Sequence, residues 1–320
     1  MAFLALTTCS NVTRAMTAAV DAALGNSQGD SVEYTVGTPD GRVLAAEEAG
    51  DPAGRPVLVH VGTPGSRHLY GPVVQDAAAR GLRLISYDRP GYGGSSPQPG
   101  RTVASCAGDV RAICAELRTD RLAMWGMSGG GPHVLACAAL LPELVTAAAS
   151  LASVAPYGAD GLDYYAGMGQ ENVDDDRLFF TDEAAARAKT DRDREEILAT
   201  PPEDAAKAFE SLLTPTDAAA LRGDLAAYLI SSEREALAPG SQGWWDDTCL
   251  LKPWGFDLAD ITVPVLLLHG RQDMFVPFGH GAWLAAHIPG VEARLLDDDG
   301  HLTLLQNHIP EVHAWLSEHL

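Results

Sequence analysis

A chain of 320 residues, 46% hydrophobic and with a formal charge of −21 at pH 7, can bury a large core. That charge repels nucleic-acid phosphates and anionic membrane surfaces, and no apolar run approaches the ~18–20 residues a membrane helix needs. Five cysteines at 9, 106, 114, 137 and 249, without a C-x-x-C, give neither a disulfide framework nor a zinc spacing, so reduced thiols and no metal are expected.

Residues 1–30 are rich in Ala and Thr, end in Gly25-Asn26-Ser27-Gln28-Gly29-Asp30, and read as a flexible tail, with Met16 an equally good start. The leading Phe3-Leu4-Ala5-Leu6 is too short for a signal core and follows no positive charge, so a cytoplasmic location is expected. Thr38-Pro39-Asp40-Gly41 is a turn between stretches 33–36 and 42–48, which predicts an opening antiparallel hairpin. Apolar strands at 57–61, 82–87, 121–125 and 145–151 then alternate with helical stretches near 73–80, 103–117 and 132–140. Such alternation predicts an α/β fold, a mostly parallel sheet with helices on both faces.

Between 155 and 253 the pattern changes to charged helical segments at 173–177, 181–196 and 202–213. Three adjacent aromatic pairs lie in this insertion: Tyr164-Tyr165, Phe179-Phe180 and Trp244-Trp245. On a helix the members of each pair point in two directions, which leaves one free to face a pocket, although packing within the insertion alone accounts for most of them. Strand pattern resumes at 263–269 and 292–296, with a helix near 281–287 between them and a last helix after 301. The core is therefore 31–154 together with 254–320, and the insertion is 155–253.

The chemistry centres on Gly126-Met127-Ser128-Gly129-Gly130, directly after the apolar run Leu122-Ala123-Met124-Trp125. A strand ending in G-x-S-x-G and turning into a helix holds its serine on a sharp, strained turn with the hydroxyl exposed. Small residues two before and two after are needed because strand and helix nearly touch there; Gly126 and Gly130 supply them, and Gly131 gives further relief. A serine nucleophile needs a base and a carboxylate to orient that base, in the chain order Ser, Asp or Glu, His. Asp273 follows the strand ending at Gly270, and His301 stands on a loop before the last helix. His269 competes as a strand-end histidine but precedes Asp273, against that order. Asp297, Asp298 and Asp299 read as a solvated turn, and His308, His313 and His319 as a polar helix face. Oxyanion donors fall to the N–H of Gly129 and, since Pro64 has none, to the N–H of Thr63 in Gly62-Thr63-Pro64-Gly65.

With Val61-Gly62-Thr63-Pro64-Gly65, Tyr87-Asp88-Arg89-Pro90-Gly91-Tyr92-Gly93-Gly94-Ser95, the Ser128 elbow, Gly270-Arg271-Gln272-Asp273 and Gly300-His301, the chain resembles an α/β-hydrolase of the group that includes proline iminopeptidases, epoxide hydrolases and cofactor-free haloperoxidases. The resemblance implies a helical cap at the insertion and a triad of Ser128, Asp273 and His301 without cofactor. It departs at Val61 and Thr63, where iminopeptidases carry His-Gly-Gly-Pro-Gly, which weakens the peptidase reading. Ser128 argues against epoxide hydrolases and haloalkane dehalogenases, whose elbow nucleophile is aspartate. The expected activity is hydrolysis of a small ester or related acyl compound. Its alternatives are a peptidase on short peptides, a C–C bond hydrolase, or a non-catalytic ligand-binding homologue. The expected partner is a small-molecule substrate, with no nucleic acid or membrane, and with room for a homodimer.

Overall fold

Eight strands form one sheet in the order β1-β2-β4-β3-β5-β6-β7-β8, in a computed structural model that describes residues 31–201 and 212–320. The expected tail at 1–30 and most of the expected helix at 202–213 lie outside the described residues. β1 (Val32–Gly37) and β2 (Val43–Gly50) make the predicted hairpin, and β2 pairs antiparallel with β4 (Leu82–Tyr87). From β4 onward every pairing is parallel, through β3 (Arg55–His60), β5 (Leu122–Met127), β6 (Val145–Leu151), β7 (Val265–Gly270) and β8 (Glu292–Leu296).

Alternation along the central strands divides the core between two faces. Leu58 of β3 and Leu122 and Met124 of β5 face helices α2 (Cys106–Glu116), α3 (Gly131–Leu140) and, farther along, α9 (Phe278–His287). Val57, Val59, Ala123 and Trp125 face α1 (Gly71–Ala79), α10 (Leu302–Asn307) and α11 (Ile309–Ser317). Every residue of β5 is buried, as expected of a strand covered on both sides. Full burial of side chains such as Val134 and Leu135 on α3 stabilises the fold by ~1.5–3 kcal/mol each and fixes the helix that carries the elbow.

Chain order makes β3 a topological switch point: β4 pairs on one side of it and β5 on the other. Loops leaving β3 and β5 therefore diverge and open a crevice at the carboxyl edge of the sheet. Between β6 and β7 the chain builds α4 (Gln170–Thr181), α5 (Glu183–Ala199), α6 (Pro215–Ala220), α7 (Gly223–Leu237) and α8 (Gln242–Asp246). The charged stretch expected as one helix over 181–196 begins afresh at Asp182, whose side chain accepts the N–H of Ala185 and caps α5.

Two expectations are corrected here. Tyr164 and Tyr165 lie in a turn rather than on a helix. His313 is not on a polar face: it is fully buried, 2.8 Å from Asp76 and edge-on to Trp125. Its separation of five residues from His308 turns it about 140° around the helix, toward the sheet.

Candidate active site

The elbow is built as its glycines require. Ser128 has a left-handed φ of 54°, a strained conformation for a residue with a side chain. A Cβ on Gly126 would stand 2.6 Å from the carbonyl of Gly130, so strand and helix meet with no room for a methyl. Gly131 is crowded too, but by Ser153 and Ser150 at the end of β6 rather than by its own strand. Behind the turn, the His133 ring donates from Nδ1 to the carbonyl of Gly129 at 2.8 Å. Burial, helped by the Arg89 charge, pushes His133 down to about 3 and keeps it neutral.

Asp273 and His301 come together. Nδ1 of His301 lies 2.7 Å from Oδ2 of Asp273, while Oδ1 of that carboxylate accepts the N–H of Val276 at 2.8 Å. Both side chains are buried, and the Phe275 ring stacks on the imidazole with centroids 4.7 Å apart. Burial alone would lower the His301 pKa; the charge and hydrogen bond of Asp273, with the charge of Asp217, outweigh it and raise it above 6.5. His269 lies beside the pair, its Nε2 3.9 Å from Oδ2 of Asp273, but its hydrogen bond goes elsewhere. Its Nε2 donates to the carbonyl of Val276 at 2.8 Å, and burial lowers its pKa. Asp297 is a solvated partner of Arg271, as expected of that turn, whereas Asp299 is tied to His308 at 3.1 Å.

Ser128 and His301 line one cavity of about 130 Å³, together with Thr63, Glu233 and Phe275. A larger cavity of about 490 Å³ continues from Ser128, Gly129 and Thr63 beneath the inserted helices. Tyr164, Phe179, Trp244 and Trp245 line it, whereas Phe180 is 46% exposed. Phe179 thus faces the cavity while Phe180 stacks on Tyr157 at the surface rather than packing inside the insertion, and both tryptophans face the cavity. Glu233 reaches both cavities, and burial pushes its carboxyl up to about 8.

Thr63 and Gly129 meet directly: a Cβ added to Gly129 would strike the Thr63 side chain. The loop carrying Thr63 is held by a buried charge network that sequence reasoning missed. Arg89 donates to the carbonyls of Val61 at 2.5 Å and Gly62 at 3.0 Å, and to the Thr63 hydroxyl at 2.8 Å. Thr63 donates in turn to Asp247 at 2.6 Å, and Asp247 also accepts from Arg89, Arg101 and Tyr92. Burial alone would raise the Asp247 carboxyl, but Arg89 and Arg101 hold it well below the usual carboxylate range. Asp217 is the second residue missed. From α6 it accepts the backbone N–H groups of His301 and Leu302, both at 2.8 Å, and of Thr303 at 3.2 Å.

Groups of metal-ligating type also occur away from the triad. His60, Cys106 and Cys137 cluster in the core, with the two sulfurs 3.6 Å apart. Burial pushes the Cys106 thiol well above its ordinary value, against the thiolate a metal needs. His133, Asp247 and Cys249 are also close, but Asp247 is already committed to two arginines.

A strained serine at a strand-to-helix turn, on a mostly parallel eight-stranded sheet, defines a hydrolase of the α/β class. The chain belongs to this family, since the family profile described as alpha/beta hydrolase fold matches residues 55–308. AB hydrolase superfamily protein YisY of Bacillus subtilis is 27% identical over 277 residues, 84% of this chain and 92% of YisY. Proline iminopeptidase of Lacticaseibacillus rhamnosus is 27% identical over 288 residues, 86% of this chain and 93% of that enzyme. In fold, the chain is similar to the esterase EaEST of Exiguobacterium antarcticum. That match has a TM-score of 0.68 at 22% identity and covers 90% of this chain and 100% of the esterase. No helix among the described residues is long and apolar enough to cross a membrane.

Proposed function

We propose that this protein is a serine hydrolase that cleaves a small carboxylic ester or related acyl compound through an acyl-enzyme on Ser128. The observation that carries the reading is the 2.7 Å contact between His301 and Asp273, with His301 on the same cavity wall as Ser128. In this reading His301 takes the Ser128 proton as the hydroxyl attacks the acyl carbon, then returns it to the leaving alcohol. Water attacks the acyl-enzyme by the same route in reverse. Asp273 holds the proton on Nδ1, leaving Nε2 as the base, and stabilises the imidazolium. The N–H groups of Thr63 and Gly129 receive the oxyanion, a task worth about 3–4 kcal/mol for one donor. The helices between β6 and β7 act as a cap that roofs the larger cavity and limits water. Free buried thiols at Cys106, Cys114, Cys137 and Cys249 support a reducing, cytoplasmic setting.

One observation favours a second reading, aminopeptidase-like. Glu233 faces both cavities as a carboxyl that an ammonium group on the acyl side of a substrate would hold in its charged form. A panel of p-nitrophenyl esters of increasing chain length, run beside aminoacyl p-nitroanilides, tests both. Turnover of simple esters with little anilide cleavage supports the esterase reading. Efficient anilide cleavage that requires a free amino group supports the second. No turnover in either series removes both.

A further inference from the structure

We propose that Asp217, a carboxylate supplied by the insertion, is a positioning residue that holds the His301 base in register with Asp273. The inference rests on the reading of His301 as the base. Asp217 occupies the third position of α6, after Thr214 and Pro215, where a helix-start carboxylate ordinarily turns back to its own N-cap. Here it turns outward instead. Wholly buried, it accepts three successive backbone N–H groups from His301, Leu302 and Thr303, across 84 positions of sequence in the first case. These are the donors that the start of α10 leaves unpaired.

The fit between the two segments is close. A Cβ on Gly300 would collide with the Asp217 carboxylate, so the residue before His301 has no side chain where the acid enters. Next to Asp217, Thr216 donates to Oε1 of Gln272 at 2.6 Å, and the Gln272 N–H donates to the carbonyl of Asp299 at 2.9 Å. One short helix of the insertion therefore touches both the Asp273 loop and the His301 loop. The backbone of His301 is clamped by Asp217 and its ring by Asp273.

Several charged or titratable groups face this histidine. Asp273 and His269 come from β7 and its loop, Asp217 from α6, and Glu233 from α7 across the shared cavity. Asp299 at the preceding turn is spent on His308. His269 is kept neutral by burial. Burial raises the Asp217 carboxyl above its ordinary value, while the three N–H groups and the His301 charge work the other way and favour its ionised form. In its ionised form Asp217 adds a smaller contribution to that of Asp273 in stabilising the imidazolium.

The test uses Asp217→Asn in two backgrounds. In Ser128→Ala protein labelled at histidine with ¹³C and ¹⁵N, the His301 ring is titrated by NMR, so the readout needs no turnover. Loss of the charge should lower the His301 pKa by ~0.5–1 unit. In protein with Ser128 intact, the acid limb of kcat/KM should move down with it. There kcat should fall ~10- to 100-fold from misplacement of the base, with KM changed less than about twofold. Should Asp217→Asn fail to fold, Asp217→Ser keeps a small acceptor and is expected to show the same direction. A variant that melts lower yet keeps the wild-type titration and kcat would reduce Asp217 to an ordinary helix cap and overturn the proposal. Failure of the triad reading is separate: it would appear as turnover surviving Ser128→Ala, whatever the titration shows.

Discussion

Replacing Asp247 with alanine probes the support of the Thr63 loop, the proposed oxyanion site, and the stability of the fold together. The carboxylate is 2% exposed and lies 2.7 Å from Arg89 and 2.7 Å from Arg101, themselves 1% and 3% exposed. Its deletion leaves two guanidinium groups buried without their counter-ion. Removing one partner of a buried pair typically destabilises by ~3–5 kcal/mol. At ~2–4 °C of melting temperature per kcal/mol, that predicts a fall of about 6–20 °C. Activity should suffer separately, because the Thr63 hydroxyl loses its acceptor while Arg89 still grips the carbonyls of Val61 and Gly62. A loop left tethered but looser should retain part of its donor alignment. Complete loss of one oxyanion donor costs ~10²–10³ in kcat, so a fall of ~10–100-fold is expected here. Calorimetry and p-nitrophenyl acetate kinetics read the two effects. A triple variant, Asp247→Leu with Arg89→Met and Arg101→Met, removes all three charges and should recover much of the melting temperature but none of the lost kcat. An Asp247→Ala protein with wild-type melting and wild-type kcat would refute the reasoning.

Ser128→Ala should abolish ester turnover, by ~10⁴–10⁶ in rate, while its circular dichroism stays native. Asp273→Asn should lower kcat by ~10⁴, because the amide leaves the wrong tautomer of His301 in place; steady-state kinetics at the pH plateau measure it. His301 must be neutral to accept a proton, and its pKa is raised. The active form is therefore lost as pH falls through a value above ~6.5, so kcat/KM for a neutral ester should show its acid limb above that point. A limb well below pH 6 would mean that Asp273 and Asp217 do not govern this histidine.

The parts legible in the sequence are those whose partners are close along the chain or fixed by strand ends. Ser128 could be read because Gly126 and Gly130 state the steric demand of the turn within five residues. Asp273 and His301 could be placed because the apolar run of β7 ends at Gly270, just before Asp273, and the short strand β8 ends at Leu296, shortly before His301. Thr63 stands out because the proline beside it has no N–H, and the structure sets it against Gly129. Asp217 and Asp247 could not be read this way. Thr214-Pro215-Thr216-Asp217 looks like any helix start, and the acid's partners lie 84 to 86 positions away. Asp247 follows two tryptophans in a polar stretch, and its arginines stand 158 and 146 positions before it. Arg89 was visible only as part of a glycine-rich loop; burial, which sequence does not display, makes it a clamp. His313 was misassigned for a related reason, since spacings of five and six residues do not share a helix face.

Covalent labelling with a fluorophosphonate, followed by peptide mass spectrometry, tests the central claim most directly, because only an activated serine reacts. The account predicts a single adduct on the peptide containing Ser128, formed at neutral pH, slowed strongly in Asp273→Asn and absent from Ser128→Ala. Ester turnover without any adduct at Ser128, or an adduct that survives Ser128→Ala, would contradict it.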